Sequence, residues 1–282
     1  ARLGGGDEDA AALYRLMAAR DDAAFLGLRG LFRQAIAPED WAAAVGLARC
    51  AEAAHPGALW LREARLNLAV RTDDWKQALA LAGPDAPTAA LATAAAAAEP
   101  DAAEALRLAR RACKAEPGFA PAALGYARLL RQSGKEPRAQ EVLRAAWQAA
   151  PQPALAELAL AATTDPLARA KQAATFVQGN PDHPESHLLL ARVSLAAGLT
   201  GEARRHLDRA RAAGLTQRRR FLLLAELEEA DRGDTEAGRI AQREALRQAA
   251  AAGPDPGWHC DRCATPLAAW QPACPACHTP GS

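Results

Sequence analysis

PGFAPAALGYARLLRQSGKEPRAQEVLRAAWQAAP, residues 117–151, holds two apolar-periodic segments joined at Gly134 and closed by a proline 34 residues after the one that opens it. The first segment sets Ala123, Tyr126, Ala127 and Leu130 on one stripe, and the second does the same with Ala139, Leu143 and Ala146. Spacings of three, four and seven put such side chains on one face of an α-helix. Gly134 supplies a left-handed residue between the helices, and Pro151 stops the second. One hairpin of this size buries too little apolar surface to offset its ordering entropy. Its stripe needs a neighbouring hairpin, so the same small residues should return at a fixed period.

They do. The small residue opening each second helix reads Ala44, Ala78, Ala105, Ala139, Ala170, Ala203 and Ala237, at separations of 34, 27, 34, 31, 33 and 34. Small or apolar residues follow at Ala48 and Ala51, Ala109 and Ala112, Leu143 and Ala146, and Leu207 and Ala210, and prolines close units at Pro56, Pro117 and Pro151. Trp41 and Trp75 stand 34 apart at equivalent corners. The pattern resembles the tetratricopeptide repeat, in which small residues sit where two helices cross most closely. It predicts an all-α superhelix of about seven hairpins over residues 24–250, after a linker and leading helix in 1–23. The copies are degenerate: Phe32 and Leu66 fill a usually small position, and the third unit, with the alanine tract 89–98 as its thin first helix, is seven residues short.

Composition suits this architecture. Half of the chain is hydrophobic but only 5% is aromatic, so alanine supplies most of the apolar surface, which favours thin, closely packed helix pairs over one large core. A formal charge of +1, from 34 basic and 33 acidic residues, gives no overall field to gather nucleic acid. The longest charge-free central run, Ala86 to Ala98, is alanine-rich and short of the roughly 20 strongly apolar residues a membrane span needs. Residues 1–9 do not read as a signal peptide. The sole methionine is Met17, so Ala1 reads as an interior position of a longer protein.

After a linker at 251–257 (AAGPDPG) the chemistry changes. Residues 258–282 contain Cys260 and Cys263, ten residues, then Cys274 and Cys277. Each CxxC forms a tight turn presenting two thiolates, and two such turns complete a tetrahedral metal shell. With so little core material, metal binding must supply much of the folding energy of this segment. The short loop and the proline in CPxC resemble rubredoxin-like knuckles, although Ala264 and His278 stand where glycine often follows each pair. Zinc is the first expectation and iron in a rubredoxin-like mode the second, since both accept four thiolates. Two disulfides are the alternative, and His259 or His278 could replace a cysteine ligand. Trp258 and Trp270 are expected to cover the knuckle or dock it on the last helices, while Cys50 and Cys113 read as small core residues.

First helices of such repeats line the concave side. The register places Arg29, Arg33, Glu63, Asn67, Arg71, Arg128, Arg131, Arg192, Arg219, Glu226 and Glu229 there, a mostly basic set suited to carboxylates of a partner protein. The run Arg218–Arg220 opens a helix and is a weaker contact candidate. His55, His183, His187 and His206 are scattered without a matched nucleophile or carboxylate pair, and no glycine-rich phosphate loop occurs, so nothing points to an enzyme.

Hairpins followed by CxxC, a tryptophan-containing loop and CPxC narrow the field. With RDDAAFLGLRGLFRQA (20–35), DPLARAKQAATFVQGNPDHPESHLLLARVSLAAG (165–198) and GEARRHLDRA (201–210), the chain is similar to the HemY family of proteobacterial haem-biosynthesis-associated membrane proteins. The resemblance implies an inner-membrane scaffold with a two-span N-terminal anchor. Its cytoplasm-facing repeats would organise late tetrapyrrole-pathway enzymes. An adaptor similar to LapB, which joins such repeats to a rubredoxin-like knuckle and controls lipopolysaccharide synthesis through a membrane protease, is the rival reading.

Overall fold

The computed structural model describes residues 6–281. The linker reading of residues 1–6 lies outside them except at Gly6, the first residue of helix α1 (Gly6–Ala18). Seven helical hairpins follow. They are α2 (Ala24–Ile36) with α3 (Trp41–Ala54), α4 (Leu59–Arg71) with α5 (Trp75–Leu81), and α6 (Thr88–Ala98) with α7 (Ala102–Ala115). Next come α8 (Ala120–Gln132) with α9 (Glu136–Ala149), α10 (Pro153–Leu160) with α11 (Pro166–Phe176), α12 (Pro184–Ala196) with α13 (Thr200–Ala212), and α14 (Arg218–Arg232) with α15 (Glu236–Ala251). A two-stranded antiparallel ribbon, β1 (Trp258–His259) and β2 (Pro266–Leu267), belongs to the C-terminal knuckle.

Local chemistry fixes the corners. Gly134 and Gly198 turn with φ of 69° and 73°, while in the first two hairpins Glu39 (φ 62°) and Asp73 (φ 55°) hold the same left-handed position. The next residue then caps the second helix: Asp40 accepts from the Ala43 amide at 3.0 Å, and Asp74 from that of Gln77 at 3.1 Å. Asp101 and Asp165 cap α7 and α11 in the same way, each at 2.7 Å. A carboxylate at this position satisfies one orphan amide and offsets the helix dipole.

The crossing residues Ala44, Ala78, Ala105, Ala139 and Ala203 are all buried. Two of the expected positions shift. In α11 the fully buried alanine is Ala173, and Ala170 is only half-buried. In α15 Ala237 is exposed and Gly238 lies at the crossing, where a Cβ would sit 2.7 Å from the Gly233 carbonyl. Only glycine fits so close an approach.

The missing seven residues are also elsewhere than the period suggested. Helix α7 has its full 14 residues, whereas α5 has only seven, half the length of α3, α7 or α9. Seven residues are about two turns, so α5 loses length without rotating its packed face. Arg62 satisfies the shortened end, donating to the Leu81 and Ala82 carbonyls at 3.0 and 3.1 Å.

The core runs along the array as successive clusters between hairpins. Trp147 is its largest fully buried side chain and links three hairpins. Its ring meets Phe176 at 5.2 Å, and its indole N–H donates to the Ser186 hydroxyl at 3.1 Å. Ser186 in turn donates to the Asn180 carbonyl at 2.6 Å. No helix among the described residues is long and apolar enough to cross a membrane.

Candidate metal centre and repeat groove

The two CxxC turns are built alike. The Cys260 amide donates to the Thr265 carbonyl at 3.0 Å and the Ala264 amide to the Cys260 carbonyl at 2.8 Å; Cys274, Thr279 and His278 repeat the pattern at 2.9 and 2.8 Å. Ala264 (φ 57°) and His278 (φ 54°) take the left-handed conformation that glycine would favour, so the turn forms without it. The sequence reading missed the two threonines. CxxC is followed both times by a variable residue, threonine and proline, and the hydroxyls of Thr265 and Thr279 lie 3.1 and 3.2 Å from the Cys263 and Cys277 sulfurs. The signal was present as a CxxCxTP motif repeated 14 residues apart.

The four sulfurs lie within 4.8 Å of one another. Cys260 and Cys277 are 3.6 Å apart, as are Cys263 and Cys274. A disulfide needs about 2.05 Å. Bonds of about 2.3 Å to a tetrahedral ion place two sulfurs about 3.8 Å apart, which the cluster fits. The four cysteines can therefore hold a metal ion. His259 and His278 are exposed and stand outside the sulfur cluster. Burial pushes the Cys274 thiol up to about 11, whereas the Thr279 hydroxyl leads the groups holding Cys277 below the usual thiol value. A dication at the centre would favour all four thiolates.

The knuckle docks on earlier hairpins, not on the last helices, which was one of the two roles expected of its tryptophans. Trp270 packs edge-on against Phe119, at the start of α8, with centroids 5.4 Å apart. Ala273 joins the core cluster shared by α4 to α8. A Cβ on Gly281 would come within 3.0 Å of Pro87 and 3.2 Å of Ala90 at the start of α6. The linker makes this return possible by running along the start of α14, where the Arg218 and Arg219 amides donate to the Gly253 carbonyl (3.3 Å) and the Asp255 carboxylate (2.9 Å). The four-cysteine knuckle thus lies against first helices of the early hairpins.

The expected groove residues divide. Arg33, Asn67, Arg71, Arg128 and Arg192 are exposed, as are Glu63, Glu226 and Glu229, the last accepting from Gln242 at 2.9 Å. Arg29 is half-buried over Trp60, 5.0 Å from the ring centre. Two others are engaged within the fold. Arg131 donates to the Leu158 carbonyl and to Glu136, both at 2.9 Å, and Arg219 grips Glu185 with two bonds of 2.7 and 2.5 Å. Of the basic run at 218–220, Arg219 and Arg220 are likewise absorbed, Arg220 being buried against Phe221, while Arg218 is exposed.

Other expectations change too. Cys50 is exposed, not a core residue, while Cys113 is packed and burial pushes its thiol up to about 11. His187 and His206, which the sequence left scattered, face each other across α12 and α13 with their Nδ1 atoms 3.4 Å apart.

A family model described as tetratricopeptide repeat matches residues 95–162. The probable magnetosome protein Mms48 of Magnetospirillum gryphiswaldense is 30% identical over 184 residues, which cover 63% of this chain and 39% of that protein. The chain therefore spans about two fifths of the length of this relative. Among solved structures, the crystal structure of the APC/C hetero-tetramer Cut9-Hcn1 aligns with a TM-score of 0.36 at 15% identity, over 74% of this chain and 42% of that one. The chain is a tetratricopeptide-like superhelix of helical hairpins, similar to the tetratricopeptide repeat over residues 95–162, and it ends in a four-cysteine knuckle.

Proposed function

We propose that the chain is the repeat portion of a non-catalytic protein-interaction scaffold serving haem biosynthesis at a bacterial inner membrane. Its repeats face the cytoplasm, and it is held there by an N-terminal anchor of the kind HemY proteins carry. The observation that carries the scaffold reading is the unbroken run of seven hairpins, whose first helices carry the exposed Arg33, Asn67, Arg71, Arg128 and Arg192. Tetratricopeptide superhelices typically present such a face to other proteins and carry no chemistry of their own. The haem-pathway assignment is supported by the HemY-like segments at 20–35, 165–198 and 201–210. Zinc in the knuckle, with rubredoxin-like iron as the alternative, would keep Cys260, Cys263, Cys274 and Cys277 in one folded unit.

Co-purification of the full-length, membrane-anchored protein tests the reading. Recovery of haem-pathway enzymes supports it. Recovery of a membrane protease with a lipid-A enzyme would replace it with the LapB-like adaptor. Elemental analysis of the same preparation should give one metal per chain, and four oxidised thiols with no metal would refute the knuckle.

A further inference from the structure

Between the docked knuckle and the first two hairpins lies a cavity of about 430 Å³. Its floor is apolar: Phe32 and Ile36 from α2 and Leu68 from α4. One bank is α4, with Asn67 and Arg71; the other is the knuckle, with Arg262 and His278. Among the described residues no acidic side chain lines it. Arg71 is held with its guanidinium over the Trp41 ring, 5.3 Å from the centre, and among the described residues neither Arg71 nor Arg262 forms an ion pair. Two guanidiniums on opposite banks of an apolar floor, in a chain whose charges otherwise nearly balance, are an unmatched charge pattern.

Resting on the protein-interaction reading above, we infer that this cavity receives a short acidic segment of a partner protein. An apolar side chain of the segment lies on Phe32 and Leu68, and an adjacent carboxylate bridges Arg71 and Arg262. Arginine suits this role because its planar fork meets a carboxylate with two parallel bonds and stays charged at any working pH. The site is composite: Arg262 stands between the ligands Cys260 and Cys263, so its bank exists only while the knuckle is folded and docked. Whatever holds the four sulfurs together therefore promotes segment binding, and by linkage a bound segment strengthens metal retention.

The test is selection of twelve-residue peptides from a random library on the purified, zinc-loaded chain. The inference expects selected peptides to carry Asp or Glu beside Leu, Ile or Phe. Arg71→Gln and Arg262→Gln should each weaken a selected peptide about tenfold or more while zinc stays at one per chain. Stripping zinc with a chelator should release the peptide while helicity by circular dichroism persists. Selection of neutral or basic peptides, affinity unchanged in both variants, or binding that survives zinc removal would each overturn it. Arginine-dependent binding to single-stranded DNA or to phosphatidylglycerol vesicles, with no peptide selected, would also overturn it. Co-purification from cells separates the two levels. If the R71Q/R262Q full-length protein keeps the wild-type partners, the site is wrong and the scaffold stands; if the wild type recovers none, the scaffold reading itself fails.

Discussion

Replacing Ala90 with leucine should lift the knuckle off the repeats without touching either partner's own fold. Ala90 is 4% exposed, in the first turn of α6, and its Cβ would stand 3.2 Å from a Cβ at Gly281, so the side chain faces the seam. Leucine is nearly as good a helix former as alanine, so α6 itself loses little. Three added carbons enter the space against the Gly281 backbone, which has no side chain to swing away. Overpacking of this kind costs about 1–3 kcal/mol, all of it borne by the docked state, which shifts the docked to undocked ratio about 5- to 150-fold. Opposing it is the Trp270–Phe119 ring pair, worth about 0.5–1.5 kcal/mol beyond its buried area. The indole N–H of Trp270 is buried and unpartnered when docked. Its NMR resonance, assigned through Trp270→Phe, should therefore move toward the position of a hydrated indole and exchange with water in A90L. Metal content should remain one per chain. A Trp270 resonance unchanged in A90L would refute the docking geometry.

Three further outcomes are expected. Glu39→Gly and Asp73→Gly relieve left-handed residues of their Cβ penalty and should each stabilise the chain by up to about 1 kcal/mol, read from urea midpoints; a destabilisation would show that the corner is not strained. Ser186→Ala strands the buried Trp147 indole N–H and should cost about 1–3 kcal/mol, whereas in a Trp147→Phe background the same change should cost much less. Equal costs in both backgrounds would remove the bond from the core. The third outcome concerns acid. Burial, then the neighbouring charge of His187, then Arg209 and Arg205 hold His206 down to about 4, against an ordinary 6.5, while Asp182 acts oppositely on His187. A folded value below the unfolded one means that protons prefer the unfolded chain, so stability is complete above about pH 6.5 and declines as the pH falls toward 4. The ring is half-exposed, which discounts the loss to about 1–2 kcal/mol. His206→Gln should flatten that decline, and an unaltered slope would exonerate the pair.

Much of the fold was legible because packing of tetratricopeptide-like hairpins writes itself into small residues at a period. Ala44, Ala105, Ala139 and Ala203 are crossing residues for the reason that made them visible. The period failed where composition blurred it. With alanine at so many positions, Ala237 kept the count although Gly238 makes the contact, and a seven-residue deletion looked the same whether it fell in α5 or in the next hairpin. The sulfur cluster was legible because its spacing is its geometry, and Thr265 and Thr279 could have been read with it from the doubled motif. The place where the knuckle lands was not. It depends on how far seven hairpins wind before the linker turns back along α14, a sum of small rotations that no local pattern records. The same holds for Arg131 and Arg219, whose partners Leu158 and Glu185 lie 27 and 34 residues away.

A linear array of repeats ordinarily frays from its ends, because each unit answers only to its nearest neighbours. Here the linker is bonded to the seventh hairpin and the knuckle packs on α6 and the start of α8, so the four-cysteine segment acts as a clasp between regions about 100 to 130 residues apart in the chain. Fraying of the last hairpin also breaks the bonds that hold the linker along α14. Unfolding of the array should therefore be more cooperative with the clasp closed than with it open, and a local thiol chemistry becomes a control on the order of the whole superhelix.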